Sequence, residues 1–202
     1  MTKLQDNCKH TRLQRMAALV ALATIQLAGC QSGRPPPLKL ADHVDMNRVY
    51  GGWHIVATIP NSFEKGMVEP YDVFSSRPDG DIREDFFVRK GSFAAPRQHF
   101  VVHDWIRRGS GGANWRVQVF WPINLPFLMI YHDQQYQYLI FGEDDRKLGW
   151  IYARQPDVPE ADYRALLEQL SAAGYDTQVF RKFVQRRDQI GRPGYWSEGV
   201  RP

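Results

Sequence analysis

The sequence predicts an all-β domain, an eight-stranded antiparallel up-and-down β-barrel with one C-terminal α-helix packed on its outside. Three observations lead there. Between residues 53 and 154, eight short stretches rich in β-branched and aromatic residues recur at regular spacing. The links between them are mostly short and carry turn chemistry, and short links join antiparallel neighbours. One stretch beyond them has apolar residues at helical spacing. Eight consecutive neighbours can remove their exposed edges by closing on themselves.

Taken in order, the strands are expected at Trp53 to Ile59, Val68 to Arg77, Ile82 to Lys90, Gln98 to Ile106, Asn114 to Trp121, Phe127 to His132, Tyr136 to Gly142 and Leu148 to Arg154. Pro78-Asp79-Gly80, Gly109-Ser110-Gly111-Gly112, Asp133-Gln134-Gln135 and Glu143-Asp144-Asp145 supply turns between them. The helix follows. Asp157 with Glu160 three residues on reads as a capping box, Pro159 is tolerated in the first turn, and Tyr163, Leu166, Leu167 and Leu170 make one apolar stripe. Gly174 ends it. A single stripe places the helix against the outside of the barrel. Residues 175–184 are expected to return along the barrel wall, and residues 185–202 to form a basic, disordered tail.

Before the strands lies a different kind of sequence. Lys3, Lys9, His10, Arg12 and Arg15 form a basic segment, Met16 to Leu27 an apolar one, and Leu27-Ala28-Gly29 put small residues in front of Cys30. This reads as a cleavable export signal over residues 1–29. A spanning helix needs about 20 apolar residues, whereas this stretch is interrupted by Thr24 and Gln26 and followed by Gly33 and three prolines. Leu27-Ala28-Gly29-Cys30 resembles the lipobox of bacterial lipoproteins, which implies lipidation at Cys30 and a membrane anchor. One acyl chain anchors marginally and two or three hold firmly, at about 0.8 kcal/mol per buried methylene. In enteric-type sorting an aspartate after the cysteine retains a lipoprotein in the inner membrane, so Gln31 implies the outer membrane; the periplasmic face is the expected side, with the leaflet left open. Residues 30–48 read as a lipidated N-terminus and Pro-rich tether, with the domain over 49–184.

Loss of the signal changes the charge balance. The precursor's +4 becomes 22 − 21 = +1, and residues 30–180 carry 16 − 19 = −3, with the excess of cations left in the tail. An acidic body does not supply the basic face that nucleic-acid binding needs, so no nucleic-acid partner is expected. Cys8 leaves with the signal and Cys30 becomes a thioether, so the mature chain has neither a free thiol nor a disulfide. Its 173 residues must be held by packing.

Gly51-Gly52-Trp53 is similar to the G-x-W that opens the first strand of lipocalins, and Pro60-Asn61-Ser62-Phe63-Glu64-Lys65-Gly66 to the segment following it in the bacterial lipoprotein branch. Asp133 to Tyr136 resembles the second family motif, and Trp150 to Pro156 the third, whose arginine covers the motif tryptophan. The likeness runs from about Val49 to Val184. It departs at His54-Ile55, at Met67 and near Arg89, where the family commonly has other residues, so it carries the fold and not the ligand identity. It implies that Gly51, Trp53, Asp133, Tyr136 and Arg154 are structural. It also implies that a fatty acid, lysophospholipid or similar apolar small molecule occupies the barrel; a homodimer stays open.

If Arg154 reaches inward over Trp53, alternation puts Tyr152 and Trp150 on the inner face. The same parity counted from Tyr136 puts Tyr138 and Ile140 inside. Family correspondence adds Phe127, Met129 and Tyr131. These seven are the candidate cavity lining. The alternative is a barrel filled by its aromatics and acting as an envelope interaction protein.

Catalysis is not expected, and neither a cofactor nor a metal. His99 and His103 sit four residues apart on a strand, roughly 13 Å, too far to share an ion. H-E-x-x-H, G-x-S-x-G and phosphate-cradling glycine loops do not occur. Asp104 beside His103, and the Glu84-Asp85 pair, read as surface charges on alternating strands.

Overall fold

Alternating side chains and tight turns build one sheet that closes. The structure, a computed structural model, describes residues 35–120 and 122–202; the expected export signal and the expected lipidation site Cys30 lie outside them. A one-turn helix α1 (Met46–Val49) leads into β1 (Gly51–Thr58), β2 (Met67–Ser76), β3 (Ile82–Lys90), β4 (Gln98–Ile106), β5 (Asn114–Phe120), β6 (Ile123–His132), β7 (Tyr138–Gly142) and β8 (Gly149–Ala153). Each strand pairs antiparallel with the next, and β1 pairs with β8, so the eight close into an up-and-down barrel. Among the described residues no helix is long and apolar enough to cross a membrane.

Two apolar layers result from the alternation. The inner one contains Trp53, Ile55, Phe74, Ile82, Trp115, Phe127, Met129, Leu139, Phe141 and Tyr152. The outer one lies under helix α2 (Glu160–Ala172), where Tyr163, Leu166 and Leu170 cover Val56, Leu128, Ile140, Ile151 and Ala153. Gly174, at φ +87°, ends the helix.

The start of α2 differs from the expected capping box. Pro159 is the N-cap and no side chain caps the helix. Asp157 instead pairs with Arg186, which the chain brings back from beyond the helix.

That return corrects the expectation of a disordered tail. After β9 (Arg181–Phe183), which pairs with the end of β1, a 3₁₀ turn at Arg187–Gln189 leads to β10 (Tyr195–Trp196), parallel to β9. Trp196 is buried against Phe183, and Gln189 is buried with its amide oxygen accepting from the backbone N–H groups of Gln185 and Arg186. The composition misleads because two of the tail's four arginines are partnered: Arg186 with Asp157 and Asp188, and Arg192 with Asp188. Apolar burial by Trp196 and Phe183 then outweighs the polar average.

Part of the expected tether is also laid on the barrel. Leu38 is buried, its N–H donates to Asp144 Oδ1 at 2.9 Å, and the Ala41 N–H donates to the Met129 carbonyl at 2.9 Å.

Candidate functional site

The barrel has a sealed end and an open one. At the sealed end Trp53 is fully buried and donates Nε1–H to the Val49 carbonyl at 2.6 Å. The Arg154 guanidinium lies 3.6 Å from the centre of the Trp53 ring and donates to the carbonyls of Gly52 and Tyr50 at 2.8 and 3.1 Å, and to that of Arg48. Gly51 takes φ +97°, and a Cβ there would press on Arg154. Asp133 closes the β6–β7 turn by accepting from the Tyr138 and Gln135 N–H groups, while Tyr136, at φ +53°, is buried and its hydroxyl accepts from the Asp45 N–H at 2.8 Å. These residues plug and brace the floor.

The opposite end opens into a cavity of about 570 Å³. Its wall is mainly apolar: Ile55, Met67, Phe86, Val102, Val117, Phe127, Leu148, Trp150 and Tyr152. Phe63, Phe100 and Leu125 stand exposed at the mouth, with Lys90 and Gln98 beside them. The β1–β2 loop is locked there by Glu64, which accepts from Trp150 Nε1 at 2.7 Å, Asn61 Nδ2 at 2.6 Å and Thr58 Oγ1 at 2.9 Å. Burial raises its pKa, and those three donors oppose the rise.

The unexpected feature of the wall is acidic. Asp72 on β2, Glu84 on β3 and Asp104 on β4 all point inward and are buried. The register explains why they meet: Glu84 lies opposite Phe74 and Val102, so Asp72 and Asp104 are its diagonal neighbours, within reach across adjacent strands. The Tyr152 hydroxyl on β8 reaches past β1 and donates to Asp72 Oδ2 on β2 at 3.0 Å. Burial raises the pKa of all three acids, and each is raised further by a neighbouring carboxyl; Asp104 is pushed up to about 7. Burial likewise holds the Tyr152 hydroxyl well above its ordinary value. The row therefore retains protons that exposed carboxylates would have lost.

Glu84 and Asp104 thus correct the expectation of surface charges; only Asp85 faces outward, held to about 2 chiefly by Arg83 with His99. The signal was present in the sequence. Ile82, Glu84, Phe86 and Val88 share one parity, and so do Val102, Asp104 and Ile106, so the apolar company of each acid assigns it to the inner face.

Of the seven candidate lining residues, Phe127, Trp150 and Tyr152 line the cavity, and Met129 is buried in the inner layer. Tyr131, Tyr138 and Ile140 are corrected to the outer layer beneath the helix, where the Tyr138 hydroxyl donates to Asp162 at 2.7 Å. Two irregularities cause this. A bulge on β6 between Met129 and Tyr131 shifts the alternation by one residue, and Tyr136 in its left-handed turn does not transmit parity to β7. Leu139 and Phe141 take the inner positions instead.

The histidines stay apart, His99 on Asp85 and His103 on Asp81, each at 2.7 Å. Asp79, Asp81 and His103 bring three ligand atoms within 4.8 Å of one another at the β2–β3 turn. That group lies outside the cavity, and Asp79 is already paired with Arg77.

With this geometry in view, the comparisons with known proteins agree among themselves. Residues 44–185 match the family described as Lipocalin-like domain. The outer membrane lipoprotein Blc of Vibrio cholerae is 25% identical over 167 residues, covering 80% of this chain and 94% of its own. Temperature-induced lipocalin-1 of Arabidopsis thaliana is 24% identical over 158 residues, covering 73% and 83%. Among solved structures, insecticyanin from the tobacco hornworm Manduca sexta superposes with a TM-score of 0.60 at 13% identity, over 82% of this chain and 91% of that one, a likeness of fold.

Proposed function

This chain belongs to the lipocalin family, whose domain it matches over residues 44–185, and from that premise we propose that it is a membrane-anchored carrier that buries the apolar body of a small amphiphile at the bacterial outer membrane. Lipocalins bind small hydrophobic ligands, and the observation that carries the reading here is the cavity of about 570 Å³, apolar over most of its wall and open at one end. That size is typical of small-molecule sites. Each methylene moved from water into such a wall contributes about 0.8 kcal/mol before the costs of binding are deducted.

The fatty acids and lysophospholipids expected from the resemblance satisfy the apolar wall. A fatty acid carboxylate is repelled by the acidic row, so its head stays at the mouth near Lys90. The alternative of a barrel filled by its own aromatics has the cavity volume against it. Among the described residues the lining holds no serine, threonine, cysteine or histidine, the side chains that most often attack or deprotonate at an ester. The relatives named outer membrane lipoproteins support the location, as does the Leu27-Ala28-Gly29-Cys30 sequence.

Delipidated protein should take up a fluorescent fatty acid at micromolar concentration and release it to unlabelled competitor. Phe127→Asp, which puts a charge on the apolar wall, should weaken uptake at least about tenfold while circular dichroism shows the barrel intact. Absence of uptake by the unmodified protein would sink the carrier reading.

A further inference from the structure

Among the described residues the acids in the barrel interior have no basic counterpart. Asp72 and Asp104 are 1% and 0% exposed and Glu84 is 9% exposed, yet the charges acting on all three come from other acids. Glu84 stands diagonal to both neighbours in the strand register, and buried carboxyls set so close share protons rather than ionise together. Apart from such protons, Tyr152 supplies the row's one donor, to Asp72 Oδ2. Asp72 Oδ1 and both oxygens of Asp104 receive no N–H or other O–H. Buried acceptors left in this condition are costly, which makes the row a poor device for stability alone.

Two of its members face the ligand space. Asp72 and Glu84 line the cavity, while Asp104 stands behind Glu84 and adds negative potential. The other titratable groups on the wall do not neutralise them. Glu64 and Glu143 are acids, the Tyr152 hydroxyl is held neutral, and Lys90 at the mouth donates to the Phe63 carbonyl at 3.1 Å. A metal ion is a poor fit, because the three acids are strung diagonally along adjacent strands; among the described residues the group whose ligand atoms converge is Asp79, Asp81 and His103 on the outside.

We propose that the cavity selects amphiphiles whose head is a protonated amine, seated head-first with its N–H groups on Asp72 and Glu84 and its apolar body along Phe86, Phe127 and Trp150. This deepens the carrier reading and rests on it. An ammonium supplies what the row lacks, donors for orphaned oxygens and one positive charge in a low-dielectric wall. As the ammonium enters, a proton shared within the row passes to solvent, and the carboxylate left behind pairs with the nitrogen. No bond is made or broken to carbon.

Three twelve-carbon chains that differ only in the head, an alkylamine, an alcohol and a carboxylate, test this by competition against a fluorescent probe at pH 7. The amine should bind at least about tenfold more tightly than either of the others, a margin in keeping with a charge-assisted contact. Glu84→Gln and Asp72→Asn should each bring the amine down towards the alcohol. A carboxylate that binds as tightly as the amine, or an amine preference that survives both variants, would overturn the proposal and leave the carrier reading standing. If none of the three binds, both readings fall. Calorimetric titration of the unmodified protein in phosphate and in Tris adds a test that needs no variant: the amine should release protons and the alcohol none, and an amine that binds without release refutes the proposal.

Discussion

Arg154 joins three segments of the closed end with one planar group. It stacks on Trp53 and donates to the carbonyls of Arg48 in α1, Tyr50 just after it and Gly52 in β1. Lysine keeps the charge but has no fork to span those carbonyls. Arg154→Lys should therefore lower stability by about 2 kcal/mol in urea unfolding without loss of ligand uptake, and an unchanged midpoint would show that the stack and its hydrogen bonds contribute little. This residue was legible in the sequence because a tryptophan and an arginine standing in family motifs define each other's role. Glu84 and Asp104 were misread for the opposite reason. A charged residue is exposed in most proteins, and that prior outweighed the period-two pattern of Ile82, Phe86 and Val88 around Glu84.

At the level of elements, the diagonal of acids across β2, β3 and β4 couples strand register to pH. In the fold, burial holds Asp104 up to about 7, against an ordinary value of 3.8. The folded chain thus binds that proton more tightly than the unfolded chain between those two values. Its contribution is fully present below the lower value and is lost as pH rises through the upper one. The melting temperature should fall between about pH 5 and pH 8, a loss on the order of 3 kcal/mol at most. Glu84→Gln should flatten that slope, and a melting temperature that rises over the same interval would contradict the account. The last strands carry a second prediction. Deleting residues 185–202 removes Trp196 from Phe183 and strips β10 from β9, so the melting temperature should drop by at least about 5 °C; a dispensable tail would leave it unchanged. The strands and the helix were readable from periodicity, whereas the β6 bulge was not, because a single extra residue leaves no compositional mark.

For the molecule as a whole, the anchor proposed at Cys30 and the barrel would set the working range together. Leu38 is docked on the barrel, so an anchor at Cys30 would be linked to it by the seven residues 31–37 rather than by the seventeen residues 31–47. Eight Cα steps from residue 30 to residue 38 reach at most about 26 to 29 Å, half the roughly 60 Å that residues 31–47 would span as a free tether. Cys30→Ser should move the protein from the membrane fraction to the soluble fraction and leave ligand uptake in vitro intact; retention in the membrane fraction would refute lipidation there. Sequence by itself determined the all-β barrel with its outer helix, the structural pair Trp53 and Arg154, and the expectation of a lipidated anchor, because these rest on local periodicity, turn chemistry and short motifs. Only the tertiary structure decided the character of the cavity. Which face Tyr131, Tyr138 and Ile140 take depends on a bulge and a left-handed turn. The meeting of Asp72, Glu84 and Asp104 depends on the stagger between strands that are separate in the chain, and stagger is set by closure of the whole barrel rather than by any one stretch of residues.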